Sequence, residues 1–134
     1  MALAPLIREF LNERRFAVLA TINSDGTPQQ TTMWYELRGD IIVMNTTATR
    51  LKSRNLARDT RVSVCIENGY RYVTIVGEAE LVNEQAIAQE DIHRLAARYN
   101  GEEIAAHLMA EQFSKQERVS IYLPVERVVT YGFE

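Results

Sequence analysis

Residues 16–37, FAVLATINSDGTPQQTTMWYEL, decide the fold. Phe16, Val18, Ala20 and Ile22 recur at every second position, the period of a strand with two unlike faces. Asn23-Ser24-Asp25-Gly26 then supplies turn chemistry, and Pro28 to Leu37 reads as the return strand of a hairpin. The same grammar continues outward. Arg38-Gly39-Asp40 is a second turn and Ile41 to Asn45 a third strand. Arg61 to Glu67 is a fourth. Asn68-Gly69 is the strongest hairpin turn of the chain, and Tyr70 to Val82 returns from it as one long strand. Gly77 inside that strand signals a bulge or a close backbone approach. Val119 to Leu123 and Arg127 to Tyr131 are the final strands, separated by Pro124. Successive hairpins with short turns form an antiparallel sheet. Six or seven strands with few places to hide edges favour closure into a barrel. An α+β sandwich is the alternative.

Helical spacing occupies the rest. Leu3, Leu6, Ile7, Phe10 and Leu11 form one stripe, with Pro5 suited to a first turn. Ala88, Ile92, Leu95, Ala96 and Tyr99 form a second, which Asn100-Gly101 ends. Glu102 to Phe113 is its partner. A short helix from about Arg50 to Arg58 completes the set. No repeat, low-complexity stretch or linker interrupts the chain, so residues 1–134 are expected to fold as a single domain.

A chain of 134 residues supports one domain with a sizeable core. The net charge of −3 argues against a general nucleic-acid binder. No apolar run approaches the ~20 residues of a membrane helix. The N-terminus lacks a signal-cleavage pattern and reads as an amphipathic helix. One cysteine, Cys65, excludes an internal disulfide and fits a reducing cytoplasm. It lies in the apolar run Val62 to Ile66 and is expected in the core.

Two stretches carry chemistry. Residues 50–56 read RLKSRNL at a helix start, where the macrodipole favours carboxylates and disfavours cations. Arg50, Lys52 and Arg54 stand there instead. Arg50/Arg54 and Arg54/Arg58 are like charges four residues apart, which costs a few tenths of a kcal/mol per pair. An arrangement that works against its own helix suggests a guest anion, seated by free N–H groups and cations. A solvated basic helix face is the alternative. Thr46, Thr47 and Thr49 precede this helix; Thr49 is expected to cap it, and the hydroxyls can also donate to phosphate. The second stretch is Gln29-Gln30-Thr31-Thr32-Met33-Trp34-Tyr35. Amides and hydroxyls followed by large flat residues suit a planar heteroaromatic ligand. They also suit a strand with one wet face and Trp34 in the core. His93 and His107 lie in the helical pair without metal-ligand spacing and are read as surface or packing residues. No GxGxxG, P-loop or nucleophile elbow is present.

The order FAVLATINSDGTPQ, TTMWY, a strand, RLKSRNLARDTRVSV and then GEAELV resembles the flavin-binding split-barrel superfamily, which includes the pyridoxamine 5′-phosphate oxidases. The Asp-Gly-x-Pro turn and the Asn-Leu-x-Arg-Asp-x-Arg-Val-Ser run carry the fold resemblance. Arg-x-Lys at the helix start, with Met-Trp-Tyr upstream, is most similar to the reductases that use the deazaflavin coenzyme F-420. The resemblance implies a mainly β split barrel with an N-terminal helix, a short phosphate-binding helix and a helical pair before the last strands. It implies that Arg50 and Lys52, with Arg54, hold the cofactor phosphate, and that Thr46, Thr47 and Thr49 line the phosphate and ribityl chain. Gln29 then faces the ring or its tail, and Met33, Trp34 and Tyr35 run beside the ring. It further implies a homodimer with sites at the interface, to which Tyr70 and Tyr72 are candidate contributors. The family's C-terminal Arg-x-His substrate motif is missing from RVVTYGFE, which argues against vitamin B6 oxidation.

The function implied is F-420-dependent hydride transfer to a conjugated small molecule. The protein would supply binding, orientation and exclusion of water, with no side-chain acid or base assigned. An FMN-dependent oxidoreductase of the same fold is the second reading. A carrier of flavin, deazaflavin or tetrapyrrole without turnover is the third.

Overall fold

The computed structural model describes residues 3–134, so the first two positions of the expected domain lie outside the described residues. Helix α1 (Pro5–Asn12) leads into the hairpin β1 (Ala17–Ile22) and β2 (Pro28–Met33). Then come β3 (Glu36–Arg38), β4 (Ile41–Thr47), α2 (Leu51–Arg58), β5 (Arg61–Glu67), β6 (Tyr72–Glu78) and β7 (Glu80–Val82). The helical pair α3 (Gln85–Asn100) and α4 (Glu102–Glu111) follows. A 3-10 turn (Phe113–Lys115), β8 (Arg118–Pro124) and β9 (Arg127–Tyr131) end the chain.

The strands form two antiparallel sheets, in the orders β2-β1-β5-β6-β9 and β3-β4-β8-β7. Among the described residues there are thus nine strands rather than six or seven, and no hydrogen-bonded ladder closes the two sheets into one barrel. The expected strand Pro28 to Leu37 breaks at Trp34-Tyr35, and Tyr70 to Val82 breaks at Ala79. At each break the chain crosses from one sheet to the other, and Val125-Glu126 makes a third crossing between β8 and β9. The Tyr35 N–H leaves the ladder and donates to the Tyr99 hydroxyl at 3.0 Å. The Ala79 N–H donates to the Thr60 carbonyl at 2.8 Å.

The sheets face each other across the main core. Leu19, Val64, Ile66 and Ile75 come from the five-stranded sheet, and Ile42, Met44, Ile121 and Leu123 from the four-stranded one. Phe10 and Leu11 of α1 belong to the same cluster. Each such side chain contributes about 1.5–3 kcal/mol by leaving water. In β1 the core face is Ala17, Leu19 and Thr21, so the set Phe16, Val18, Ala20 and Ile22 forms the outer face. Cys65 lies on that outer side of β5, half-buried between buried Val64 and Ile66, and is not a core residue. Gly77 sits in regular register opposite Val62. It marks a close approach rather than a bulge: Leu123 Cδ1 lies 3.3 Å from where a Cβ would stand.

β4 and β8 are buried on both faces because α3 covers the side away from the main core. Polar groups fasten that contact. Asp91 of α3 is buried, and its carboxylate accepts from Ser120 Oγ at 2.7 Å, the Tyr122 hydroxyl at 2.6 Å and Arg38 Nη1 at 2.9 Å. A satellite core joins α3, α4 and the 3-10 turn through Ile92, Leu95, Ala105 and Phe113, with Trp34 packed against it. No helix among the described residues is long and apolar enough to cross a membrane.

Candidate functional site

A cleft of about 260 Å³ opens where the ends of β2 and β4, the starts of α2 and β8, helix α3 and the 3-10 turn meet. Six of the residues singled out in the sequence line it: Met33, Trp34, Thr46, Thr47, Arg50 and Lys52. Four do not. Tyr35 is fully buried in the main core, where its hydroxyl reaches the Leu11 and Glu13 carbonyls at 2.8 and 3.1 Å. Burial pushes its phenol up to about 12. Gln29 is half-buried on the core-facing side of β2, where its Oε1 accepts from Thr21 Oγ1 at 3.0 Å. Thr49 is exposed, with its hydroxyl 3.4 Å from that of Thr47. Arg54 points to a separate groove beside the Asn23–Asp25 turn.

The helix start differs from expectation in one respect. Arg50, not Thr49, is the N-cap of α2, and no side chain caps it. Ser53 Oγ instead donates to the Thr47 carbonyl at 2.7 Å, tying the helix to the end of β4. The first turn holds no acidic residue. Its leading N–H groups therefore lack a side-chain acceptor at the end of the helix that favours anions.

The charge pattern decides what this cleft can hold. Lys52 is only 6% exposed, and no hydrogen-bond acceptor or carboxylate pairs with it among the described residues. Burial, with a further contribution from the Arg50 charge, lowers the Lys52 pKa below the usual lysine range. Arg118 is 7% exposed and is pushed down to about 10 by burial, again with Arg50 adding to the effect. Its Nε donates to Asn45 Oδ1 at 3.0 Å, its Nη1 donates to Gln116 Oε1 at 2.6 Å, and its guanidinium lies over the Phe113 ring at 4.9 Å. These partners are neutral. A buried cation without a counter-charge is costly, and three cations share this cleft. A bound anion would relieve that cost.

Arg118 and Asn45 escaped the sequence reading. Arg118 opens a strand far along the chain, and only the β4–β8 register, which pairs Thr47 with Arg118 and Asn45 with Ser120, brings it to the cleft. Asn45 is held in turn, since its Nδ2 donates to the Ala88 carbonyl at 2.9 Å and to Ser120 Oγ at 3.1 Å. Ile92, Leu95 and Phe113 add the apolar lining. Behind Trp34 the rings stack in a column. Tyr99 lies 5.3 Å from Trp34 at 12°, and Phe16 lies 5.5 Å from Tyr99 at 24°.

The remaining candidates lie elsewhere. His93 pairs with Glu102 at 2.6 Å on the surface of the helical pair. No three His, Cys, Asp or Glu side chains gather as a metal-ligand set among the described residues. Tyr70 is 85% exposed at its turn, and Tyr72 stacks on Tyr131 at 5.7 Å.

Residues 3–131 match the family described as pyridoxamine 5′-phosphate oxidase. The conserved hypothetical protein Rv2991 of Mycobacterium tuberculosis is 31% identical, with 98% of this chain and 86% of that one covered at a TM-score of 0.78. A structure named F-420 reductase is 27% identical, with 91% of this chain and 94% of that one covered at a TM-score of 0.77. HutZ, the heme storage protein of Vibrio cholerae, shares the fold at 21% identity and a TM-score of 0.70, with 96% of this chain and 94% of that one covered.

Proposed function

The chain belongs to the pyridoxamine 5′-phosphate oxidase family, and from that premise we propose that it is a coenzyme F-420-dependent oxidoreductase acting on a conjugated small molecule. The observation that carries this reading is the cleft's unbalanced charge. Buried Lys52 and Arg118, with Arg50, have no carboxylate among them, and flat Trp34 and apolar Met33 stand in the same cavity. A phosphate-bearing cofactor with a planar ring fits that donor set. The likeness to the F-420 reductase favours the deazaflavin over FMN.

When bound, the reduced deazaflavin supplies hydride chemistry. The protein's part is to bind, orient and exclude water. Arg50, Lys52 and Arg118 hold the phosphate, with the first-turn N–H groups of α2 and the Thr46 and Thr47 hydroxyls beside them. Trp34 and Met33 border the ring. Ile92, Leu95 and Phe113 give the cleft an apolar wall. Asn45 sets the Arg118 guanidinium. No acid–base pair is assigned, and solvent delivers the proton.

The active form is a homodimer. A cleft of about 260 Å³ falls below the range of about 300–1,000 Å³ usual for pockets that bury a drug-sized ligand. A second copy would complete it, with Tyr70 and Tyr72 as candidate contributors.

Paired titrations of the apo-protein with F-420 and with FMN test the assignment. Trp34 is the chain's single tryptophan, so quenching of its emission reports on this cleft alone. Tighter binding of F-420 supports the reductase. Tighter binding of FMN moves the protein to the flavin branch of the fold. Lys52→Ala should weaken binding about ten- to a hundredfold, the scale of one hydrogen bond to a charged group. Unchanged affinity in that variant would remove Lys52 from the site.

A further inference from the structure

Only two of the chain's fifteen basic residues are lysines, Lys52 and Lys115. Lys115 is exposed on the 3-10 turn. Lys52 is more than nine-tenths buried in the cleft, where arginine's fork would grip a phosphate at least as well. A buried ammonium can do what a guanidinium cannot: it can lose its proton and become a nucleophile. The surroundings favour that state. Arg50 and Arg118 already bring two positive charges to the cleft, and among the described residues no carboxylate stabilises a third.

Resting on the reading of this cleft as an anion seat, we propose that Lys52 is a reactive amine that captures small anionic aldehydes, phosphorylated ones first, as an imine. The neutral amine attacks the carbonyl carbon and forms the C–N bond. The carbonyl oxygen leaves as water with the two amine protons, and a C=N bond remains. No oxidant or reductant is consumed. Arg50 and Arg118 hold the anionic end of the aldehyde by charge-assisted hydrogen bonds. A three- or four-carbon phosphate ester suits the small cavity. The lowered Lys52 pKa agrees with this geometry. Because aldehyde and cofactor share one seat, each excludes the other.

The test uses the full-length apo-protein, with glyceraldehyde 3-phosphate in one arm and glyceraldehyde in the other. Imines are trapped with cyanoborohydride and located by peptide mass spectrometry, with Lys115 as the internal reference. Lys52 should label about tenfold faster than Lys115 with the phosphorylated aldehyde, as expected of a desolvated lysine beside other cations. The preference should shrink several-fold with glyceraldehyde, and inorganic pyrophosphate should protect Lys52. Lys52→Arg keeps a cation there and should abolish the label. Equal labelling of Lys52 and Lys115 by both aldehydes overturns the proposal. Calorimetry with pyrophosphate separates the two readings. Pyrophosphate binding without a Lys52 adduct sinks the imine proposal alone. Neither binding nor adduct sinks the anion seat with it.

Discussion

Lys52 carries its burial cost in every unliganded molecule, and that cost has a pH signature. Its folded pKa lies below the unfolded value, which is about 10.4 for lysine. Between the two values the unfolded chain binds the proton and the folded chain does not, so stability rises with pH across that window. Lys52→Met should therefore stabilise the apo-protein near neutral pH by about 1 kcal/mol or more. The gain should fade as pH climbs through the window, as read by urea melts at several pH values. Anion affinity should move the other way and fall as Lys52 deprotonates. Tyr35 has the opposite linkage. Its phenol is raised to about 12, so stability should be lost between the usual tyrosine value near 10 and that point, by about 2–3 kcal/mol. Tyr35→Phe should abolish that alkaline slope. Arg50 and Lys52 were legible in the sequence because two cations at a helix start contradict the dipole locally. Arg118 was not, because its meaning depends on pairing with Thr47 across the sheet. Tyr35 misled because it neighbours Trp34, yet the chain turns there and sends one ring into the main core and the other toward the cleft.

Between elements, the ring column Trp34–Tyr99–Phe16 couples the end of α3 to the cleft. Tyr99 stacks between the other two rings, its hydroxyl bonds the Arg15 carbonyl, and it accepts from the Tyr35 N–H. Arg98 beside it donates to the Asn12 and Glu13 carbonyls. Tyr99→Leu should lower the fluorescence anisotropy of Trp34 and weaken cofactor binding several-fold, whereas Tyr99→Phe should keep the stacking and most of the affinity. Equal anisotropy in the leucine variant would rule out a positioning role. Gly132 sets a second junction, where the chain after β9 passes the β5–β6 turn. Its φ is +87°, and a Cβ would lie 2.7 Å from Arg71 Cγ and 2.9 Å from the Tyr70 carbonyl oxygen. Gly132→Ala should cost about 1–3 kcal/mol in chemical denaturation. The hairpin turns at Asn23–Gly26 and Asn68-Gly69 were legible because turn chemistry is local. The crossings at Trp34-Tyr35 and Ala79 were not, since alternation of period two continues through a change of partner strand. The expected barrel resolved into two sheets at these corners.

At the scale of the molecule, the chain presents a cation-rich cleft and, elsewhere on its surface, unburied apolar groups. Phe16, Val129, Tyr131 and Tyr70 are all more than half exposed. On the proposed homodimer, such exposed apolar groups are what a second copy would cover, and cofactor affinity should depend on protein concentration. Dilution through the dimer's dissociation range, followed by analytical ultracentrifugation, should weaken F-420 binding in step with dissociation. Tyr70 separates this account from a purely structural one. It is 85% exposed, so Tyr70→Ala should change stability by no more than about 0.5 kcal/mol. If the partner's ring reaches the bound cofactor, the same substitution should still weaken binding several-fold while the dimer persists. Affinity that is indifferent both to dilution and to Tyr70→Ala would mean that one chain holds the cofactor alone. The net charge of −3 gives no hint of such a site. Three positive charges meet in the cleft, and salt should weaken cofactor binding there less than at an exposed patch, because Lys52 and Arg118 are buried and buried charges are poorly screened.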